Sequence, residues 1–437
     1  MKVGFLILRD NFYKNLGGTI DECMKRGYES VIFLDETMFG KFIKKSLAPT
    51  LISVPKFIHG KPKIIKYQGV NRFADEAISH IDVMVVFCLS TTIPKSNDFP
   101  EMTYQYQLKI LRKKGIPIVS IYSHFYDNCY VDIEVYESVD ILCAISQYSL
   151  EAFKEILFKC STFKGKKLDE YGKYIDNVFL RKVKVTGSGL FDPLKNIYKK
   201  RMDRSIENNT DVVLFIPKIF NQPFMNLMFN NRSKVVSIIK SLILYKGHYF
   251  SQIMKEPNYY SFIKSLERMI TQYQLNLICK SRPKHKNTFD KKLKALSKEY
   301  YSGVDDTYYP NFTSHQIMLN AIYCIQIRTF SVIESVIAGV PSLHFQVPIV
   351  YPSHKINKLD IYFNEVIRNA QENTLFNFEG CVWNIVWKDA LDFIENINLN
   401  DLVQDPAQRL KYIKKFCGFD NNRTAAEKEV DAIESLF

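Results

Sequence analysis

Residues 322–341, IYCIQIRTFSVIESVIAGVP, determine the fold class. The apolar run from Ile322 to Ile327 predicts a buried strand, and the pattern from Ser331 to Ala338 predicts a helix. Gly339 and Pro341 end that helix and lead into a second predicted strand at 340–345. A buried strand, a helix and another buried strand in close succession are typical of a parallel sheet covered by helices on both faces.

The same alternation runs along the rest of the chain. Predicted strands lie at 3–8, 31–34, 83–87, 116–122, 141–145, 183–186, 212–216, 275–279, 322–327 and 340–345. Predicted helices lie at 104–114, 147–158, 233–245, 259–273, 288–300 and 331–338. The pattern therefore predicts an α/β protein with two doubly wound, Rossmann-like domains, residues 1–192 and 193–405. The charged stretch 195–209 is the predicted connection. Residues 406–437 are predicted helices that return to the first domain.

Composition excludes several classes of protein. The chain has 437 residues, of which 46% are hydrophobic and 24% charged, so it is neither disordered nor collagenous. Its nine cysteines show no CxxC or Cys/His ligand spacing, which indicates reduced thiols in the cytoplasm. Lys and Arg exceed Asp and Glu by 59 − 46 = +13, which favours anionic partners such as nucleotides, nucleic acid or an anionic membrane face. No run of 18 apolar residues occurs, so membrane contact is expected to be peripheral.

Ligands of open α/β sheets bind at the carboxyl ends of the strands, so the loops there are the places to search. The first such loop carries Asp10 and the pair Gly17–Gly18, whose lack of side chains lets backbone approach a ligand. Thr19 and Glu22 match a capping box that opens the next helix. A tight turn with a cap is the structural alternative for this loop.

A histidine follows the predicted strand 116–122. His124, with Asp127 three residues later, is a candidate general base. A structural hydrogen bond is the alternative role for a single loop histidine.

A basic loop follows the strand 275–279. Lys280 and Arg282 begin an alternating series of cations, and residues 280–298 carry eight Lys or Arg and one acidic residue. Arginine binds phosphate through two parallel hydrogen bonds, and lysine adds a point charge. The loop is therefore a candidate phosphate site, with a solvated basic surface as the alternative.

The strongest candidate follows the strand 322–327. Thr329 and Ser331 lie where the first turn of the next helix offers free N–H groups, an arrangement suited to a diphosphate. Glu334 can accept hydrogen bonds from ribose hydroxyls. Ser331 and Glu334 also match a capping box, and that structural role is compatible with the binding role.

These motifs resemble those of GT-B glycosyltransferases and the related sugar-nucleotide 2-epimerases. The resemblance rests on the strand end at 328–331, Glu334 and the sequence AGVP at 338–341. Three further passages are similar to parts of these enzymes and of CDP-polyol phosphotransferases: VTGSGLFD at 185–192, SHQIMLNA at 314–321 and GFDNNRTAA at 418–426. The resemblance implies two Rossmann-like domains that face a cleft, with the acceptor bound by the first and the nucleotide donor by the second.

The resemblance also implies roles for individual residues. Thr329, Ser331 and Val332 would bind the donor phosphates and Glu334 the ribose, with Lys280 and Arg282 as phosphate cations. His124, Asp127 and Asp10 are the implied catalytic residues, and Gly17, Gly18 and His315 would form loops near the donor and acceptor. Members of this kind act without a bound metal or other cofactor, because protein cations neutralise the leaving diphosphate.

The implied function is a glycosyltransferase of bacterial surface-glycan synthesis, in capsule or lipopolysaccharide. It would use a UDP-, GDP-, CMP- or CDP-linked sugar and a saccharide or lipid-linked acceptor, in the cytoplasm and peripherally at the inner face of the plasma membrane. A sugar-nucleotide 2-epimerase and a CDP-alditol phosphotransferase share the fold and stay open as alternatives. A basic nucleic-acid-binding protein is a more remote one, because no RNA or DNA module is recognisable and specific nucleic acid is not an expected partner.

Overall fold

The structure is a computed structural model. It describes residues 1–35, 54–87, 104–121, 139–151, 180–203, 210–216, 224, 227–228, 233–281, 288–302, 305–327, 329–347, 373–418 and 422–437. The chain forms two compact units. Unit 1 comprises Met1–Pro193, Thr307–Phe312 and Ile413–Phe437, and unit 2 comprises Leu194–Asp306 and Thr313–Tyr412.

Unit 1 contains a parallel sheet of seven strands in the order β3-β2-β1-β4-β5-β6-β7. The strands are β1 (Lys2–Ile7), β2 (Glu29–Asp35), β3 (Lys63–Tyr67), β4 (Val83–Phe87), β5 (Ile118–Ile121), β6 (Ile141–Ala144) and β7 (Val183–Val185). The central strands are almost wholly apolar and buried, because helices cover both faces of a parallel sheet. The first three helices of the chain belong to unit 1: α1 (Tyr13–Lys25), α2 (Phe73–Ile78) and α3 (Tyr104–Lys113).

Unit 2 repeats the plan with six parallel strands in the order β10-β9-β8-β11-β12-β13. They are β8 (Asp211–Phe215), β9 (Asn276–Lys280), β10 (Glu299–Tyr301), β11 (Ala321–Ile327), β12 (Ser342–Gln346) and β13 (Val382–Val386). Both strand orders step outward on one side of the first strand and then switch to the other side, as in doubly wound folds. The predicted α/β class is therefore confirmed.

The helices that follow in chain order complete the description. They are α4 (Asp192–Met202), α5 (Lys234–Tyr245), α6 (Phe250–Lys255), α7 (Tyr259–Gln272), α8 (Thr288–Leu296), α9 (Thr313–Gln316), α10 (Ser331–Ile337), α11 (Ala390–Glu395), α12 (Pro406–Cys417) and α13 (Ala425–Glu434). The last of them, α13, belongs to unit 1 and packs against α1. In the described residues, no helix is long and apolar enough to cross a membrane.

Two predictions about secondary structure are wrong. The stretch 195–209 is not simply a connection, because α4 extends through Met202. Leu194 and Arg201, seven residues apart, lie on one face of α4 and are both buried, so the helix packs into unit 2 despite its charged sequence. The predicted helix 288–300 ends at Leu296, and the edge strand β10 follows it.

Candidate functional site

In unit 2, a buried network of hydrogen bonds joins β11 to α10 and to β12. The Gln326 side chain on β11 donates hydrogen bonds of 2.9 Å to Ser335 on α10 and 2.9 Å to Ser342 on β12. Ser335 also donates to Ser342 at 3.1 Å. The three side chains are fully buried, so these bonds are strong and specify one position of α10 on the sheet.

Two buried arginines hold the carboxyl end of α10. Arg409 donates to the carbonyl oxygens of Val336, at 3.0 Å, and of Ile337, and its guanidinium stacks on Tyr198 at 3.5 Å from the ring centroid. Arg201 donates to Gly339 O at 3.4 Å. The final carbonyls of a helix carry partial negative charge, so cations stabilise this end. The helix is therefore anchored at the end far from the candidate site.

The amino end of α10 differs from the predicted capping box. The helix begins at Ser331, its N-cap residue is Phe330, and no side chain forms a cap bond from that position. Thr329 Oγ1 instead accepts from Ser331 N at 3.4 Å and lies 3.0 Å from Ser331 Oγ. The predicted capping box of Ser331 and Glu334 is therefore wrong, and two hydroxyls lie together at the carboxyl end of β11. Val332 is fully buried, so a role in binding would fall to its backbone.

Glu334 lies on the first turn of α10, three residues after Ser331, and it pairs with His315, which also belongs to unit 2. Glu334 Oε2 is 3.7 Å from His315 Nε2, and both side chains are buried. His315 belongs to the short helix α9, which precedes β11, and not to a loop. A buried carboxylate beside an imidazole provides both a hydrogen-bond acceptor and a titratable partner. This arrangement suits recognition of vicinal hydroxyls.

The predicted phosphate cations are only partly within the described residues. Lys280 ends β9, and its ammonium group forms an ion pair with Asp306. The carboxylate compensates part of the lysine charge, and both side chains are largely buried. Arg282 lies outside the described residues.

The glycine pair in unit 1 does not form a loop. Gly17 and Gly18 lie inside α1, which begins at Tyr13, so the predicted loop and the predicted capping box of Thr19 and Glu22 are wrong. The Tyr309 ring packs on Gly17, and the Tyr309 hydroxyl donates to Asp21 one turn later. The missing side chain at Gly17 therefore serves packing of the segment 307–312, which belongs to unit 1.

Helix α1 also packs against α13, through residues other than Gly17. Thr19 donates a hydrogen bond to the fully buried Glu429, and Gly18 faces Ala426. Asp192 accepts from the backbone N–H groups of Ala425 at 3.0 Å and Ala426 at 3.2 Å and so caps α13. Burial, with a smaller contribution from the nearby Asp192, raises the pKa of Glu429 to about 8. Glu429 is consequently a mostly neutral carboxyl group at pH 7.

Asp10 lies just beyond β1, in a short 3-10 helix at Asp10–Phe12. Burial raises the pKa of its carboxyl group to about 6, close to the range in which a general acid or base works best. Its Oδ1 has no hydrogen-bond partner among the residues that the structure describes. The other two predicted catalytic residues, His124 and Asp127, lie outside the described residues.

Sequence reasoning missed the buried arginines, the glutamine network and Glu429. Arg201 had one available signal, the seven-residue spacing from Leu194 along a helix. Within the described ranges, no group of three or more His, Cys, Asp or Glu side chains could hold a metal ion. A depression of about 730 Å³ lies near Met1, Asp82 and Ile116, at the amino ends of β1, β4 and β5 and thus opposite the edge that carries the candidate residues.

Comparisons with known proteins bear on the fold. No protein-family model matches the sequence, and no curated protein matches it. A putative UDP-N-acetylglucosamine 2-epimerase from Listeria monocytogenes is similar in structure, with 12% identity, a TM-score of 0.53, and coverage of 100% of this chain and 96% of that chain. The wall teichoic acid polymerase TagF is similar with 10% identity, a TM-score of 0.52, and coverage of 100% and 89%. These similarities extend over the whole chain, and the protein therefore has the GT-B fold predicted from its strand-end motifs.

Proposed function

We propose that this protein is a glycosyltransferase that moves a sugar from a nucleotide-sugar donor to a saccharide or lipid-linked acceptor. Unit 2 would bind the donor and unit 1 the acceptor, without a catalytic metal. The proposal includes a role in bacterial surface-glycan synthesis, in the cytoplasm at the inner face of the plasma membrane. Its main support is the buried pair of Glu334 and His315, with Glu334 on the helix that begins at Ser331, where the hydroxyls of Thr329 and Ser331 lie together.

The chemistry of this group matches the polar parts of a nucleotide. A carboxylate accepts two hydrogen bonds from vicinal ribose hydroxyls, and clustered hydroxyls donate to phosphate oxygens. The hydrogen bonds that hold α10 in place also fix the position of Glu334 before a ligand binds, which reduces the entropy lost on binding. Arg282, which follows β9 in the sequence, would supply charge to the leaving diphosphate.

Unit 1 provides a candidate proton-transfer group. The Asp10 carboxyl has a pKa of about 6 because it is buried, so near neutral pH both of its protonation states are populated. We propose Asp10, with His124 and Asp127, as the group that deprotonates the acceptor hydroxyl. In glycosyl transfer the acceptor oxygen forms a bond to the anomeric carbon while the bond to the diphosphate breaks.

Donor binding provides the first test. Calorimetric titration with UDP-, GDP-, CMP- and CDP-sugars should identify one class that binds. Glu334→Gln should then weaken binding of that donor about 10- to 100-fold, since a hydrogen bond to a charged group is worth about 1.5–3 kcal/mol. Glu379→Gln, a change at an exposed carboxylate of the same unit, is the matched control and should bind normally.

The same variants separate binding from folding. If Glu334→Gln lowers the midpoint of urea unfolding while the affinity of the folded protein stays normal, Glu334 is structural and the site is wrong. Product analysis then separates the activities. Epimer formed from the donor without an acceptor would identify a 2-epimerase, and donor phosphorus in the product would identify a phosphotransferase. Transfer of the sugar alone supports the proposal.

The two alternative enzymes would use the same candidate residues of unit 2 for a different reaction. The similar structures include a putative UDP-N-acetylglucosamine 2-epimerase and a wall teichoic acid polymerase, and the fold alone does not choose among the reactions. Each would need the ribose and phosphate contacts of unit 2. Donor binding therefore tests the site, and the product tests the reaction.

A further inference from the structure

Helix α5 in unit 2 exposes an unusually apolar face. Its buried residues are two serines, Ser237 and Ser241, at 0% exposure. Ser237 Oγ donates to the carbonyl oxygen of Leu227 at 2.6 Å, which satisfies the hydroxyl against the body of the unit. An ordinary amphipathic helix buries its apolar stripe and exposes its polar residues. In α5 two serines face the protein, together with Ile238 and Tyr245, which are partly buried against the core, while the other apolar residues are exposed.

The outward face of α5 is apolar. Ile243 is 73% exposed, Leu244 63% and Val235 62%. The patch continues onto α6 through Phe250 and Met254. Eight of the eighteen exposed large hydrophobic side chains in the described ranges lie between positions 235 and 254: Val235, Val236, Ile239, Leu242, Ile243, Leu244, Phe250 and Met254. Such a concentration marks an interaction surface.

The charged residues within this stretch of the chain are of one sign. Residues 233–255 contain four lysines, Lys234, Lys240, Lys246 and Lys255, and no aspartate or glutamate. Lysine side chains can lay their methylene stems along an apolar surface and keep the ammonium group at its edge. An apolar helix face with a cationic border matches a surface that is apolar inside and anionic outside.

We propose that α5 and α6 dock the protein on an anionic phospholipid bilayer, with α5 lying in the plane of the interface. Twelve residues of helix extend about 18 Å, which is well short of the roughly 30 Å hydrocarbon core, so α5 cannot span it. The apolar side chains would enter the boundary between headgroups and acyl chains, and the lysines would contact the phosphate groups.

A second copy of the chain is a poorer occupant. Pairing two such faces would bring four lysines of one copy toward four lysines of the other, with no carboxylate in the stretch to compensate. Like charges at an interface oppose association. The membrane proposal does not require the proposed activity, because docking depends on α5 and α6 alone.

Flotation with phospholipid vesicles tests the proposal on the full chain, without donor or acceptor. The protein should float with vesicles rich in phosphatidylglycerol and much less with phosphatidylcholine alone. Raising the salt from about 0.1 M to about 1 M should weaken binding, because the screening length falls from about 10 Å to about 3 Å.

Variants locate the surface. The double change Ile243→Ser and Leu244→Ser should reduce vesicle partitioning at least about tenfold, because each side chain loses roughly 1.5–3 kcal/mol of burial. Lys240→Gln and Lys255→Gln should each reduce it about fivefold. Val403→Ser, at a residue of unit 2 that is 70% exposed, is the control and should float normally. All five side chains are exposed, so unfolding midpoints should stay unchanged.

Two results would overturn the proposal. One is wild-type protein that fails to float with anionic vesicles, or serine variants that float as well as wild type. The other is a wild-type dimer in sedimentation that the serine variants convert to monomer, which would make this face an interface between copies. Either result leaves the donor-binding test untouched, so failure here is distinguishable from failure of the proposed activity.

Discussion

The two units build the junction that follows a central strand in different ways. In unit 1, β1 leads into α1, whose glycines are covered on one side by Tyr309 and on the other by α13. In unit 2, β11 leads into α10, which is held at its carboxyl end by Arg201 and Arg409. Helix α1 is therefore packed against its neighbours near its middle, whereas α10 is held by hydrogen bonds at the end far from Thr329 and Ser331.

This difference shows that a glycine pair near a strand end can serve packing and need not bind a ligand. Glycines there are often associated with phosphate binding, because they let backbone approach a ligand. Gly17 and Gly18 instead allow an aromatic ring and a helix to approach α1 closely. The candidate ligand groups of unit 2 are side chains, above all Glu334 and His315. Packing therefore accounts for the glycines of the first junction, whereas the second is the junction that we propose binds the donor.

The largest effect that tests this contrast concerns Glu429, which joins α13 to α1. Its usual pKa of 4.5 is raised to about 8 in the folded protein. Between these pH values the folded state holds a proton that the unfolded state has released, so stability falls as pH rises. The group's stabilising effect is complete below about pH 4.5 and is lost by about pH 8, a difference of roughly 3–5 kcal/mol.

Glu429→Gln should remove this pH dependence and make unit 1 more stable than wild type at pH 9. Urea unfolding at pH 5, 7 and 9, followed by circular dichroism, measures the change. Fluorescence of Trp383 and Trp387, the only two tryptophans and both in unit 2, provides an internal control that should show no difference between the proteins. Parallel pH curves for wild type and variant would mean that Glu429 is not held neutral by burial.

Most of the fold could be predicted from the sequence because buried parallel strands are continuous apolar runs. All ten predicted strands are present. The three that were missed, β3, β10 and β13, are edge strands, two of them rich in charged or polar residues. An edge strand packs against one neighbour only, so its sequence need not be apolar throughout.

The site was less predictable, because its contacts join distant parts of the chain. Glu334 was found through its motif, yet its neighbour His315 comes from another helix, and Arg409 reaches α10 from 72 residues away. A charged residue type also does not by itself indicate an exposed position. Arg201 belongs to a strongly charged stretch, but it is buried because three backbone carbonyls accept its hydrogen bonds. Sequence spacing does not reveal such partners.

A smaller effect is expected at Gly17. A Cβ atom there would lie inside van der Waals distance of three ring carbons of Tyr309, and the hydrogen bond to Asp21 prevents the ring from moving freely. Gly17→Ala should therefore destabilise unit 1 by about 1–3 kcal/mol, the usual cost of overpacking. The measurement is urea unfolding followed by circular dichroism. If the clash is the cause, adding Gly17→Ala to Tyr309→Ala should cost nothing further. An equal loss in both backgrounds would contradict the packing role.

The smallest change in stability is expected for Gly18→Ala, which also serves as an internal control for Gly17→Ala. At Gly18 an added Cβ would meet the Ala426 Cβ at 3.4 Å, an ordinary contact, and its backbone is already helical. Alanine in a helix interior is favoured over glycine by about 0.5–1 kcal/mol, so Gly18→Ala should stabilise unit 1 by up to that amount. Adjacent glycines should thus respond with opposite signs in the same unfolding experiment. If Gly18→Ala is as destabilising as Gly17→Ala, the two glycines share a requirement that packing of Tyr309 does not explain, and the assignment of this junction to packing fails.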